Sequence, residues 1–270
     1  MEKYLNKKGF MRTIVLFIFS LLLSCKTNHA PKENESSLDT NIPIYHPKIF
    51  QVYPHDQDAF TQGLFYFNGF LYESTGLYGH SSLSKIDLES GLVVQKKELT
   101  IEYFAEGIAL YDSQIVQLTW QSKKGFVYNL ADFNLIKEFS YPTEGWGLTF
   151  DGEYLVLSDG SDMLYYLNPV THQTIKQLHV TVNGQPCDRI NELEYINGNI
   201  YANIWEKDQI AIINAEGKVI GWIDLEGILL ATDCTRITGV LNGIAYNAAA
   251  ERIYITGKNW CKCFAIELVP

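Results

Sequence analysis

The chain has 270 residues, with 31 acidic against 21 basic side chains, a formal net charge of −10, and 47% hydrophobic and 13% aromatic residues. An acidic chain of this kind has no electrostatic reason to bind a polyanion, so nucleic acid is excluded as a partner.

Taken in chain order, the first element is a leader. Lys3, Lys7, Lys8 and Arg12 form a basic stretch, and Thr13 to Leu23 is apolar apart from Thr13 and Ser20. That run falls short of the roughly 20 residues a membrane span needs and has the length of a secretory apolar segment. It ends Leu22-Leu23-Ser24-Cys25, which resembles a bacterial lipobox, in which the cysteine becomes the acylated first residue. An ordinary signal peptide that contains a cysteine is the alternative. The expectation is a lipoprotein signal peptide over 1–25, lipidation at Cys25, and an exported protein anchored to a bacterial membrane on its periplasmic or cell-surface side. Residues 26–43 are polar and charged and read as a flexible tether. Removing 1–25 takes away four basic residues and one acid, which moves the net charge from −10 to −13. The remaining 44–270, 227 residues, are ample for one domain. It is expected to act as a monomer.

Four cysteines remain, Cys187, Cys234, Cys261 and Cys263. Export permits disulfides. Cys261 and Cys263 alternate on an expected strand and do not suit each other, which leaves Cys187 with Cys234 as the pairing to consider. No Cys/His spacing resembles a zinc site, and no cofactor is expected.

From residue 44 onward the chain consists of short strands, turn dipeptides and aromatics, without a long helical period. One phrase recurs. Gln62-Gly63-Leu64, an Asn68-Gly69 turn and a strand from Leu71 to Gly76 are followed by Glu106-Gly107-Ile108 with Ile115 to Trp120. Then come Trp146-Gly147-Leu148 with Leu155 to Gly160, Asn191-Glu192-Leu193 with Ile200 to Trp205, and Asn242-Gly243-Ile244 with Arg252 to Lys258. The steps between equivalent positions are 44, 40, 45 and 51 residues, the period of four-stranded propeller blades. The expectation is an all-β, five-bladed β-propeller. Third strands are expected at Ser82–Leu88 and Met163–Leu167, and fourth strands at Leu135–Phe139 and Val219–Asp224. The last blade stops after three strands, at Cys263–Leu268, and Lys48–Tyr53 is expected to supply its outer strand and close the ring.

In such a fold the first strand of each blade lines the central channel. The residues that open those strands are Gln62, Glu106, Trp146, Asn191 and Asn242. The second strands return to the same rim at Gly76, Trp120, Gly160, Trp205 and Lys258. Two rings of five positions thus carry one acid, one lysine, amides and three tryptophans. Taken singly, each residue has a plain structural explanation, as blade packing or backbone geometry. Together, polar and aromatic residues at equivalent positions on one rim point to a site. Glu106 lies between Phe104-Ala105 and Gly107-Ile108, an apolar setting that raises a carboxyl pKa and suits it to proton transfer, though a carboxylate held by backbone amides is the alternative.

Several phrases then resemble the plant-type glutaminyl cyclotransferases and their bacterial relatives. They are Phe60-Thr61-Gln62-Gly63-Leu64, Phe104-Ala105-Glu106-Gly107-Ile108, Glu144-Gly145-Trp146-Gly147-Leu148, Ile190-Asn191-Glu192-Leu193-Glu194-Tyr195, Ala202-Asn203-Ile204-Trp205 and Thr256-Gly257-Lys258-Asn259-Trp260. The resemblance runs from about Phe50 to Leu268. It implies a five-bladed propeller unrelated to the zinc-dependent enzymes of the same reaction, acting on peptides or proteins with N-terminal glutamine. It also implies that Glu106 is the catalytic acid and that Phe60, Gln62, Phe104, Trp120, Trp146, Asn191, Trp205 and Lys258 surround it, with the aromatic and amide residues binding substrate. The chemistry suggests Lys258 as a second catalytic group, stabilising oxygen charge in the tetrahedral intermediate. Two other readings stay open. One is a calcium-dependent propeller lactonase, with Glu106, Asn191 and Asn242 as oxygen ligands. The other is a surface lipoprotein that binds a peptide or glycan without catalysis.

Overall fold

The computed structural model describes residues 42–269. The leader and the lipidation site at Cys25 lie outside the described residues, as does the expected tether up to residue 41. Among the described residues there is no helix, and every regular element is a β-strand.

Strand β1 (Ile44–Pro54) is followed by four runs of successive antiparallel strands and one run of three. The first run is β2 (Thr61–Phe67), β3 (Phe70–Thr75), β4 (Ser82–Asp87) and β5 (Val93–Glu98). The second is β6 (Ala105–Tyr111), β7 (Gln114–Thr119), β8 (Lys124–Asn129) and β9 (Leu135–Ser140). The third is β10 (Leu148–Phe150), β11 (Leu155–Ser158), β12 (Met163–Leu167) and β13 (Thr174–His179), after which a small hairpin forms from β14 (Thr181–Val182) and β15 (Gln185–Pro186). The fourth is β16 (Ile190–Ile196), β17 (Asn199–Ile204), β18 (Gln209–Ile213) and β19 (Val219–Asp224), and the last is β20 (Leu241–Asn247), β21 (Arg252–Gly257) and β22 (Lys262–Val269). The expected second, third and fourth strands are all present, with ends displaced by no more than two residues.

Burial falls from the first strand of each run to the last, and the residue types follow it. β2 and β6 are buried over most of their length, whereas the outer β5 and β9 are largely exposed and carry Lys96, Lys97 and Lys137 among their apolar residues. Charged side chains on an outermost strand discourage pairing with other chains. Apolar clusters fill the space between successive runs. Phe65 and Leu83 of the first pack with Ile108 and Ile115 of the second. Ala245 and Tyr254 of the last pack with Leu64 and Leu71 of the first, so the series returns to its start. Each fully buried Leu or Ile in these layers contributes about 1.5–3 kcal/mol. The first strands also touch in cyclic order, β2 with β6, β6 with β10, β10 with β16, β16 with β20 and β20 with β2. This is a propeller-like, all-β arrangement around a central axis.

Closure depends on β1. It pairs antiparallel with β22 at eight positions from His46–Val269 to Pro54–Lys262, with an irregularity at Phe50. It is therefore longer than the expected Lys48–Tyr53. Its first residues do something the sequence did not suggest: Ile44 and Tyr45 pair in parallel with Trp222 and Ile223 of β19, which joins the last two runs into one eight-stranded sheet.

A disulfide links Cys234 and Cys261, with Cα atoms 5.6 Å apart. The pairing of Cys187 with Cys234 is thus overturned. Cys187 is buried in the layer between the third and fourth runs, whereas Cys261 precedes β22 in a turn that faces the long loop after β19. Cys263, two residues on, points into the core and is free.

Candidate active site

Four of the five first strands share a local irregularity where their rim residues stand. The β2–β3 register shifts between Thr61 and Gly63, β6–β7 between Ala105 and Ile108, β16–β17 between Ile190 and Leu193, and β20–β21 between Leu241 and Ile244. The residues in those gaps are Gln62, Glu106 with Gly107, Asn191 with Glu192, and Asn242 with Gly243. A bulge bends the strand and re-aims a side chain, here at the start of four of the five first strands; β10 pairs regularly and begins at Leu148, after Trp146 and Gly147. Glycine follows in most copies because the strands meet backbone to backbone. A Cβ on Gly63 would lie 2.5 Å from the Ile108 nitrogen, and one on Gly107 the same distance from that of Leu148. In the copy with Glu192 instead, the carboxylate accepts the N–H groups of Leu64 and Ile244 at 3.2 and 2.8 Å.

The second set stands just after the second strands. Gly76 and Gly160 leave notches that the rings of Phe104 and Trp146 occupy. Trp120, Trp205 and Lys258 project from the equivalent positions of the other runs. The result is a cavity of about 420 Å³ lined by Phe60, Gln62, Phe104, Glu106, Trp120, Trp146, Asn191, Trp205 and Lys258. All nine residues singled out in the sequence for the pocket line it. Asn242 does not: it is fully buried, with its Nδ2 donating to the Thr61 carbonyl at 3.0 Å and to Gln62 Oε1 at 3.4 Å. It holds Gln62 in place behind the wall.

The aromatic wall is built from edge-to-face contacts. Phe60 meets Phe104 with centroids 6.2 Å apart at 90°, Phe104 meets Trp120 at 5.7 Å and 62°, and Trp146 meets Trp205 at 5.7 Å and 86°. Such geometry suits the ring quadrupoles. Lys258 Nζ lies 4.8 Å from the centre of the Phe60 ring, within cation–π reach.

Glu106 and Lys258 are 5% and 7% exposed, so this lysine is a buried charge rather than the solvated one a rim position suggests by default. Burial pushes the Glu106 carboxyl well above the usual carboxylate range, and Glu144 adds to the rise; Lys258 and a hydrogen bond from Gln62 oppose it. Burial also pulls the Lys258 ammonium below its ordinary value, against the opposing pull of Glu106. The site therefore holds a carboxyl whose proton affinity is raised by burial, beside one buried cation. Asn191 Oδ1 is buried and has no hydrogen-bond partner among the described residues. Among the described residues, no three of His, Cys, Asp and Glu are grouped to hold a metal ion.

Two features escaped the sequence reading. Glu144 accepts the indole N–H groups of both Trp120 and Trp146. Behind the cavity, His55 is buried with Nδ1 2.7 Å from the Trp260 carbonyl and Nε2 3.0 Å from Glu73 Oε1, which also accepts the Thr61 hydroxyl at 2.6 Å. Both ring nitrogens face acceptors, which favours the imidazolium. The signal for this pair was Glu73 itself, an acid inside the apolar strand Leu71-Tyr72-Glu73-Ser74-Thr75.

Comparison with known proteins agrees with this geometry. A family model described as glutamine cyclotransferase matches residues 18–268. A glutaminyl-peptide cyclotransferase of Arabidopsis thaliana is 38% identical over 275 residues, covering 99% of this chain and 86% of its own. The crystal structure of Myxococcus xanthus glutaminyl cyclase superposes with a TM-score of 0.79 at 36% identity, over 84% of this chain and 98% of that one. The chain therefore belongs to the glutamine cyclotransferase family and is an enzyme.

Proposed function

We propose that the enzyme converts the N-terminal glutamine of peptides or proteins to pyroglutamate with release of ammonia, using Glu106 as general base and then general acid. The observation that carries this reading is the single buried carboxyl, Glu106, in an aromatic cavity that also holds one cation and two amides. In the reaction the neutral α-amine attacks the side-chain carbonyl carbon. A carbon–nitrogen bond forms, the carbonyl becomes an oxyanion, and Glu106 takes a proton from the attacking nitrogen. The oxyanion then collapses, the bond to the amide nitrogen breaks, and Glu106 returns its proton to the leaving ammonia. A carboxyl with a raised pKa suits both transfers. Lys258 offers positive charge to the oxyanion in a site shielded from water. Gln62 and Asn191, which line the cavity, orient the polar ends of the glutamine, and the tryptophans and phenylalanines fold its methylenes into the cyclising rotamer. Excluding water protects the intermediate from hydrolysis to glutamate.

The finer architecture belongs to the same reading. The five four-strand units, the last completed by β1, act as blades of a five-bladed propeller with the cavity at one mouth of its axis. That view is supported by the cyclic contacts of the first strands. The reaction is proposed to need no metal, because the cavity offers one carboxylate and neither histidine nor cysteine. The enzyme is further proposed to be a monomer held at a bacterial membrane through Cys25, the anchor being a reading that rests on the leader sequence alone.

The test is ammonia and pyroglutamate formation from a Gln-Ala dipeptide, before and after exhaustive EDTA and 1,10-phenanthroline. Turnover that survives chelation is expected. Activity lost on chelation and regained with Zn²⁺ or Ca²⁺ would contradict metal independence, and no turnover at all would contradict the cyclisation reading.

A further inference from the structure

The aromatic contacts of the cavity wall run from Lys258 over Phe60 to Phe104 and Trp120, and resume from Trp146 to Trp205. Trp120 follows β7 and Trp146 precedes β10, so the interruption falls between two separate runs of strands. Glu144 bridges it. Its Oε2 accepts the Trp120 indole N–H at 2.8 Å and the Trp146 indole N–H at 3.2 Å, and Oε1 lies 3.4 Å from Gln121 Nε2. We infer that Glu144 is a positioning residue for the reaction: one carboxylate oxygen locks two of the three tryptophan walls in the orientation that shapes the glutamine pocket.

An indole has one donor and no acceptor, so beyond ring packing the one polar contact that can fix each ring is an acceptor at that nitrogen. Hydrogen bonds to an ionised acceptor are stronger than neutral ones, and sharing one oxygen ties the two rings to each other. Glu144 does not line the cavity, so its effect reaches substrate through the indoles. It also reaches Glu106 through space. The titratable groups facing Glu106 are Lys258, Glu144 and Tyr141, with Gln62 as a neutral hydrogen-bond donor, and of these Glu144 raises the Glu106 pKa whereas Lys258 lowers it.

Two substitutions separate these effects. Glu144→Ala removes the acceptor from both indoles, and kcat/KM on a Gln-Ala substrate is expected to fall about a hundredfold, shared between KM and kcat, as a misplaced wall costs orientation. Glu144→Gln keeps an oxygen at the same reach but removes the charge. It should restore KM to within about threefold of the parent, and it should move the acid limb of the pH–rate profile to lower pH because the repulsion on Glu106 is gone. Indole N–H resonances in ¹⁵N spectra give a readout independent of turnover. Those of Trp120 and Trp146, assigned by Trp→Phe variants, should shift and exchange faster in Glu144→Ala, while Trp260, which donates to the Gly239 carbonyl, stays. Unmoved Trp120 and Trp146 resonances, or kcat/KM within twofold of the parent, would overturn the inference. Should Glu144→Ala fail to fold, Trp120 and Trp146 indole resonances unmoved in Glu144→Gln would do the same. The kinetic arms rest on the cyclotransferase reading. If the parent enzyme does not turn over Gln-Ala, that reading fails, and the resonances still decide whether Glu144 holds the walls.

Discussion

Replacing Lys258 by methionine keeps most of the aliphatic stem, and with it the packing on Phe60, but removes the charge. The magnitude follows from its burial. At 7% exposure the ammonium acts through an effective dielectric near 20, and an oxyanion at about 5 Å would gain about 3 kcal/mol from it. Ground-state substrate carries only a carbonyl dipole there, so most of that energy appears in the transition state. We expect kcat to fall about ten- to a thousandfold with KM changed much less, at about 1.4 kcal/mol per factor of ten. The assay is steady-state ammonia release from Gln-Ala, with the pH–rate profile recorded on the same variant. Lys258 holds the Glu106 pKa down, so the acid limb should also move to higher pH in Lys258→Met. A raised KM with unchanged kcat would refute the oxyanion role and make Lys258 a binding contact. An acid limb that stays in place would refute the electrostatic link to Glu106.

Stability should fall as pH rises from about 5 to 8. Glu194 is raised by burial from 4.5 to about 8 and Glu192 is raised well above 4.5, so the folded state holds protons that the unfolded chain has released. His55 adds to this: burial lowers its pKa, but Glu73 and the Trp260 carbonyl outweigh that and the net direction is up. Its contribution is complete below about pH 6.5 and is lost as pH rises through the raised value. Lys258, whose pKa is lowered, works in the opposite sense only above its own folded pKa. Melting temperatures across this range should decline, and Glu194→Gln should flatten the decline; a rise would contradict the assignment. For the leader, full-length protein should partition with membranes and incorporate palmitate, and Cys25→Ala should abolish the label. A mature N-terminus elsewhere than residue 25 would make the protein an unanchored exported enzyme.

What the sequence revealed and what it hid have different physical origins. Gln62, Glu106 and Asn191 were legible because a repeated bulge puts them at the same point of successive strands, and a repeat is visible as a period. Gly63 and Gly107 marked that point because a Cβ at either would collide with the backbone of the next first strand. Trp120 and Trp205 followed at a fixed spacing of 13 residues from Gly107 and Glu192, and Lys258 followed 15 residues after Gly243 once the longer Ala248-Ala249-Ala250 turn is allowed for. Features that join different copies had no period to show. Glu144 lies in a quoted motif, but its meaning depends on two indoles meeting across neighbouring runs. The Cys234–Cys261 bridge ties a loop without counterpart in the other copies to a turn before the last strand. The parallel contact of Ile44 and Tyr45 with β19 uses only two residues, too few to leave a pattern. Burial of Lys258 was hidden for the same reason: the residues that shield it come from other parts of the chain, including Gly239, whose N–H donates to the Lys258 carbonyl at 2.7 Å.

The central claim is that one buried carboxyl carries the proton in both halves of the cyclisation, and Glu106→Gln tests it most directly. The amide keeps the shape of the side chain and its reach toward Gln62, but it cannot accept and return a proton at neutral pH. Turnover of Gln-Ala by the folded variant, with circular dichroism and melting temperature matching the parent, is expected to fall by at least about a hundredfold. Near-normal ammonia release from the folded Glu106→Gln enzyme would contradict it.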